Sequence, residues 1–195
     1  MRILGITLAR GGSKSVKLKN IKLINDKPLI AYTIEETLKS VHITNYIVST
    51  DHQEIGEVAR DYGAEVPFIR PDDISTDQAS SVSALQHAVN FMEERDGIKF
   101  DIIVETMCTN PLKTVDDIDG CIEKMLSTDA ESVIAVHQLE DHHPARIKKI
   151  VDDKIKDFSI TEPNEARRQD LKPNAYIRSG SIYAIERNYL MKKNA

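Results

Sequence analysis

Arg2-Ile3-Leu4-Gly5-Ile6-Thr7-Leu8-Ala9-Arg10-Gly11-Gly12-Ser13-Lys14 begins as an apolar run and stops at paired glycines. A strand buried on both faces reads as a near-continuous aliphatic run, and glycine lets the backbone leave it sharply. Arg2 to Ala9 is therefore predicted as the first strand. The loop behind it carries Arg10, Lys14, Lys17 and Lys19, four positive charges within ten residues.

The pattern repeats outward from that strand. Pro28 suits a first helical turn, and Ile30, Ile34 and Leu38 recur at four-residue spacing, predicting a helix over 28–40. Tyr46 to Ser49 reads as a strand, Asp51 as the cap of a helix ending at Tyr62 and Gly63, and Glu65 to Ile69 as a third short strand. Val82, Leu85, Val89 and Met92 share one face of a helix over 79–95, closed by Gly97, and Ile102 to Met107 follows as a strand. Thr114 and Asp117 have capping-box spacing ahead of the stripe Ile118, Cys121, Ile122 and Met125, and Ser132 to His137 reads as a further buried strand. Strands alternating with helices imply a Rossmann-like three-layer α/β/α domain with a mostly parallel sheet. Past Glu140 the texture changes: Ile147–Val151 and Ile155–Ile160 flank Asp152-Asp153-Lys154 as an antiparallel hairpin. An extended stretch over 175–185 and a short helical pattern over 186–193 finish the chain.

The 195 residues fit one domain, and 41% hydrophobic with 29% charged residues is ordinary for a globular chain. With 26 basic against 31 acidic residues the net charge is −5, which excludes a general attraction to nucleic acid or anionic membrane, so any phosphate needs a local basic site. Cys108 and Cys121 form no C-x-x-C pair, which fits a reducing cytoplasm, and no stretch approaches the roughly 18 apolar residues of a membrane span.

Glycines that let backbone N–H groups approach phosphate, with cations around them, make the first loop a candidate polyphosphate site at the carboxyl end of a strand. It has neither P-loop nor dinucleotide-binding spacing. A merely solvated basic loop is the alternative reading of the same residues.

Ala9-Arg10-Gly11-Gly12-Ser13-Lys14, Lys19-Asn20 and Lys27-Pro28-Leu29-Ile30 together resemble the opening of the acylneuraminate cytidylyltransferases. Ile47-Val48-Ser49-Thr50-Asp51, Arg70-Pro71, Asp77 to Ser81, Thr109-Asn110-Pro111-Leu112, His142-His143-Pro144, Arg168-Gln169 and Gly180-Ser181-Ile182-Tyr183 resemble that family's later motifs in order. The resemblance covers nearly the whole chain. It implies transfer of CMP from CTP to the anomeric hydroxyl of a nine-carbon acidic sugar, with release of pyrophosphate and Mg²⁺ as cofactor. It further implies that Arg10, Lys14 and Lys19 neutralise the triphosphate. Leu8, Ala9, Gly11, Gly12 and Asn20 would line the nucleotide, and Arg70, Ser81 and the main chain at Ala79 would read cytosine. Met107, Thr109, Asn110 and Tyr183 would face the sugar. Arg146, Arg168 and Gln169 belong to an arm over about 140–175 that joins a homodimer and reaches the sugar carboxylate from the partner.

Taken alone, Arg70-Pro71 also reads as a surface turn, Ser80-Ser81 as a helix start, and the arm as a solvated charged segment. Met107 replaces the family's usual glutamine, Asn110 a serine and Lys113 an arginine; these changes fit either a relative of sialic acid, such as legionaminic or pseudaminic acid, or neutral drift. His142 and His143 lack a third ligand for zinc. The family's Asp-x-Asp magnesium pair is missing, so either the sequence is a fragment or the metal rests on phosphates and water. The rivals are an octulosonate or other sugar cytidylyltransferase, whose first loop differs, and a CTP-binding module without turnover.

Overall fold

The computed structural model describes residues 1–13, 16–139, 142–163 and 167–192. In chain order come β1 (Ile3–Leu8), β2 (Leu23–Ile24), β3 (Lys27–Pro28), α1 (Leu29–Leu38), β4 (Asn45–Ser49) and α2 (Gln53–Asp61). They are followed by α3 (Ser81–Asp96), β5 (Ile102–Thr106), α4 (Val115–Leu126) and β6 (Ser132–Gln138). The last elements are β7 (Lys148–Val151), β8 (Lys154–Asp157), β9 (Tyr176–Glu186) and α5 (Arg187–Leu190).

The main sheet has the order β4-β1-β5-β9-β6. β1 pairs in parallel with β4 on one side and β5 on the other, while β9 runs antiparallel to β5, so the predicted mostly parallel sheet is mixed at β9. Alternate residues of the strands serve opposite faces. Leu4, Ile6, Ile47 and Ile103 cluster with Leu85, Val89 and Met92 of α3. Tyr46 and Val48 cluster with Ile30 and Ile34 of α1 and Ile55 of α2, and Ile3, Val104, Ile182 and Ala184 with Ile118 and Ile122 of α4. Each fully buried aliphatic side chain stabilises the fold by about 1.5–3 kcal/mol relative to exposure, which fixes helices on both faces and makes three layers.

Two helix starts show how local chemistry sets element ends. Thr114 accepts from the Asp117 amide while the Asp117 carboxylate accepts from the Thr114 amide, the capping box its spacing predicts. Ser80 caps α3 by accepting from the Ser83 amide. Asp51, expected to cap α2, does not: α2 begins at Gln53 with His52 at its N-cap and no side-chain cap. The expected strand over 65–69 is reduced to isolated parallel bridges, Ile47 to Glu65 and Thr50 to Ile69. Pro67 lies between them and has no N–H to donate, so a continuous ladder cannot form.

The chain divides into two compact units, Met1–Ala135 with Gly180–Ala195, and Val136–Ser179. Within the second, β7 and β8 pair antiparallel through a turn whose Asp152 and Asp153 both have positive φ, 50° and 58°, as a two-residue hairpin of right-handed twist requires. The short β2–β3 hairpin uses the same device at Asn25 and Asp26.

Candidate active site

β1 is where the sheet changes direction of growth: the chain passes from β1 to β4 on one side, then returns to place β5 on the other. Ligands of open α/β sheets bind outside the carboxyl ends of the strands at such a switch point. A cleft of about 290 Å³ opens there, with Leu8 at the end of β1 and Glu105, Met107 and Cys108 at the end of β5. Arg10, Lys19 and Asn20 of the first loop, Arg70, and Ser80, Ser81 and Ala84 at the start of α3 complete its walls. A cleft of about 370 Å³ beside Phe100 and Met125 has Arg187 on its lining, but that guanidinium is already bound to Glu93 at 2.8 Å. The concentration of cations selects the first cleft.

Its walls are held by a small set of polar bonds. Leu18 adopts a left-handed conformation, φ 49°, which turns the chain into the 3₁₀ turn Lys19–Ile21. Asn20 is buried; its Nδ2 donates to the Arg10 carbonyl at 3.0 Å and its Oδ1 accepts from the Cys108 thiol at 3.1 Å. Both ends of the loop are thereby tied to the exit of β5. Asp51 Oδ1 accepts from the Gly11 amide at 2.8 Å and lies 3.9 Å from Arg70 Nη2. A Cβ on Gly11 would come within 2.8 Å of the His52 ring, so the glycine is needed for close packing. At Gly12 a Cβ would meet open space.

Arg10 Nη1 bonds Asp77 at 2.7 Å, a partly exposed pair on the cleft lining. Lys19 has no ion pair among the described residues. Arg70 is 3% exposed, its Nε donating to Ser75 Oγ at 3.0 Å; burial lowers its pKa and Asp51 opposes that shift. Glu105 is buried and burial pushes its pKa up to about 7, whereas burial raises the Cys108 thiol to about 11 and leaves it protonated. Lys113, also buried, donates from Nζ to Thr33 Oγ1, the Met107 carbonyl and the Asn110 carbonyl at 2.7, 2.8 and 2.7 Å. It clamps the loop that presents Met107 and Thr109.

Of the residues expected at the site, Leu8, Arg10, Lys19, Asn20, Arg70 and Ala79 line the cleft, as do Ser81, Met107 and Thr109. Ala9 is buried beneath it, its amide donating to the Ser49 carbonyl at 3.0 Å. Gly11, Gly12, Asn110 and Tyr183 are outside the lining, and Tyr183 faces Glu105 across the β5–β9 ladder. Lys14 lies outside the described residues. Arg146, Arg168 and Gln169 belong to the Val136–Ser179 unit, where Arg146 Nε bonds Glu162 at 3.2 Å. The His143 ring is used twice within that unit, Nδ1 accepting from the Ala145 amide and Nε2 against the Pro173 carbonyl. Sequence reasoning missed Glu105, Cys108 and the clamp of Lys113; a lone charge inside Ile102-Ile103-Val104-Glu105-Thr106 was the available signal. Among the described residues no three His, Cys, Asp or Glu side chains gather as a metal site.

Fold and site together define a nucleotidyltransferase: an open α/β sheet whose switch-point cleft has Arg10, Lys19 and Arg70 on its walls. The same architecture occurs in a CMP:2-keto-3-deoxy-manno-octonic acid synthetase solved with CTP, with a TM-score of 0.72 at 20% identity over 97% of this chain and 76% of that one. The chain belongs to the cytidylyltransferase family, whose profile matches residues 4–193. It is 34% identical to the pseudaminic acid cytidylyltransferase of Campylobacter jejuni, over 94% of this chain and 78% of that protein. It is 29% identical to the N-acylneuraminate cytidylyltransferase of Escherichia coli O18:K1:H7, over 99% of this chain and 44% of that one.

Proposed function

We propose that this cytidylyltransferase transfers CMP from CTP to the anomeric hydroxyl of a nonulosonic acid of the pseudaminic, legionaminic or sialic type. The observation that carries the reading is the convergence of Arg10, Lys19 and Arg70 on the switch-point cleft of a chain in this family. In the reaction the sugar oxygen forms a bond to the α-phosphorus, the bond from that phosphorus to the β-phosphate bridging oxygen breaks, the hydroxyl proton passes to water, and pyrophosphate leaves. Such a transfer needs positioning and charge neutralisation more than covalent chemistry. Arg10, once released from Asp77, and Lys19 bind the phosphates; Arg70 and Ser81 bind the base; Met107 and Thr109 face the sugar. The relatives' named substrates support the sugar class, and Met107 at the sugar wall supports a sialic-acid relative.

Magnesium would enter this reading as the counter-ion of the triphosphate, since that ion keeps much of its water and can rest on phosphate oxygens. A homodimer joined through the Val136–Ser179 unit is part of the same proposal, supported by the exposed Ile150, Ile155 and Phe158 of its hairpin. So is a cytoplasmic setting, supported by two free cysteines; no helix among the described residues is long and apolar enough to cross a membrane.

The test is pyrophosphate release from CTP and Mg²⁺ with pseudaminic, legionaminic and N-acetylneuraminic acids. Release with at least one is expected, and Arg10→Ala or Lys19→Ala lowers kcat about 10²- to 10³-fold, as when a charge-stabilising donor is lost. Bound CTP without release across the panel would overturn the reading.

A further inference from the structure

Glu105 is a cleft residue that the reaction above leaves unused. It stands one position before the end of β5, on the strand face it shares with Ile103, and lines the cleft with Ala84 and Ser81 of α3. The other carboxylate of the lining, Asp77, is tied to Arg10 at 2.7 Å. The Glu105 side chain is 8% exposed and has neither a hydrogen bond nor an ion pair among the described residues. A buried carboxyl without a partner is costly, and a site keeps one where a ligand supplies the missing donor.

The chemistry of that donor follows from what else the cleft must hold. A phosphate would be repelled by the carboxylate, and Arg10, Lys19 and Arg70 already offer the positive charge that phosphates need. The remaining donors of a nucleotide and an acidic sugar are chiefly hydroxyls, and in open α/β sheets acidic side chains in the ligand crevice take ribose hydroxyls. We propose that Glu105 is a substrate-recognition residue whose carboxylate accepts hydrogen bonds from sugar hydroxyls of the ligand in this cleft, either those of the CTP ribose or those of the acceptor sugar. The proposal rests on the cytidylyl-transfer reading for which ligands enter.

Its test compares wild type, Glu105→Ala and the isosteric Glu105→Gln by calorimetric binding of CTP and of 2′,3′-dideoxy-CTP, and by the KM for the accepted nonulosonic acid. If the ribose is the partner, Glu105→Ala weakens CTP about tenfold and the dideoxynucleotide less than threefold. If the acceptor is the partner, CTP binding stays within threefold and KM rises about tenfold. Changes below threefold in all measurements, or equal loss for both nucleotides, overturn the proposal. Should Glu105→Ala fail to fold, Glu105→Leu carries the same comparison, since it keeps much of the volume and offers no acceptor. A wild-type protein that binds CTP and releases no pyrophosphate defeats the proposed reaction, while the nucleotide arm still decides the role of Glu105 toward ribose.

Discussion

Glu105 and Lys113 are both buried and both shifted toward their neutral forms, yet they affect stability in different pH windows. Glu105 binds its proton more tightly folded, near pH 7, than the ordinary 4.5, so stability falls as pH rises from 4.5 through 7 and the full penalty, on the order of 3 kcal/mol, persists above. Glu105→Gln is therefore expected to raise Tm at pH 8 and to lose that advantage below pH 4.5, read by thermal melts across pH. Lys113, lowered from 10.5 to about 8 by burial, gives up its proton more readily folded, so its penalty is relieved as pH rises through 8–10.5. Lys113→Ala leaves Thr33 and two carbonyls without their donor and should cost about 2–4 kcal/mol in denaturant unfolding.

At the scale of elements, the ends of helices and strands are set by few-residue chemistry that can be removed singly. The capping box of α4 satisfies two amides at once, and Thr114→Ala should destabilise the protein by about 1 kcal/mol, measured as a shift in denaturant midpoint with unchanged m. α3 is held at its far end by Glu93, which burial alone would raise but which Arg187, Lys99 and the Phe100 amide hold down to about 2. That group contributes stability above its unfolded value of 4.5 and loses it as pH falls toward 2, so Arg187→Ala should flatten the acid limb of the stability profile. Asp51 matters differently. By gripping the Gly11 amide and facing Arg70, it links the loop assigned to the phosphates with the arginine assigned to the base.

For the molecule as a whole, the hairpin of the Val136–Ser179 unit sets the expected assembly. Ile150 and Ile155 are direct cross-strand partners and are 76% and 74% exposed, an apolar pair that water does not favour. Sedimentation should find a dimer, and Ile150→Asp should shift it to monomer while CTP binding persists. The sequence by itself determined the rhythm of strands and helices, because aliphatic periods and caps are local; it also marked the first-loop cations, the Thr114 cap and the Asp152-Asp153 turn. It could not give the antiparallel direction of β9, since an aliphatic run has no preferred neighbour, nor the loss of a continuous strand at Pro67 until pairing partners were known. Only the tertiary structure decided that Asp51 holds Gly11 rather than capping α2, that Lys113 clamps a loop, and that Glu105 lies buried and unpaired in the cleft. Those facts depend on groups distant along the chain meeting in a desolvated place, where each bond made or left unmade is worth more than it would be in water.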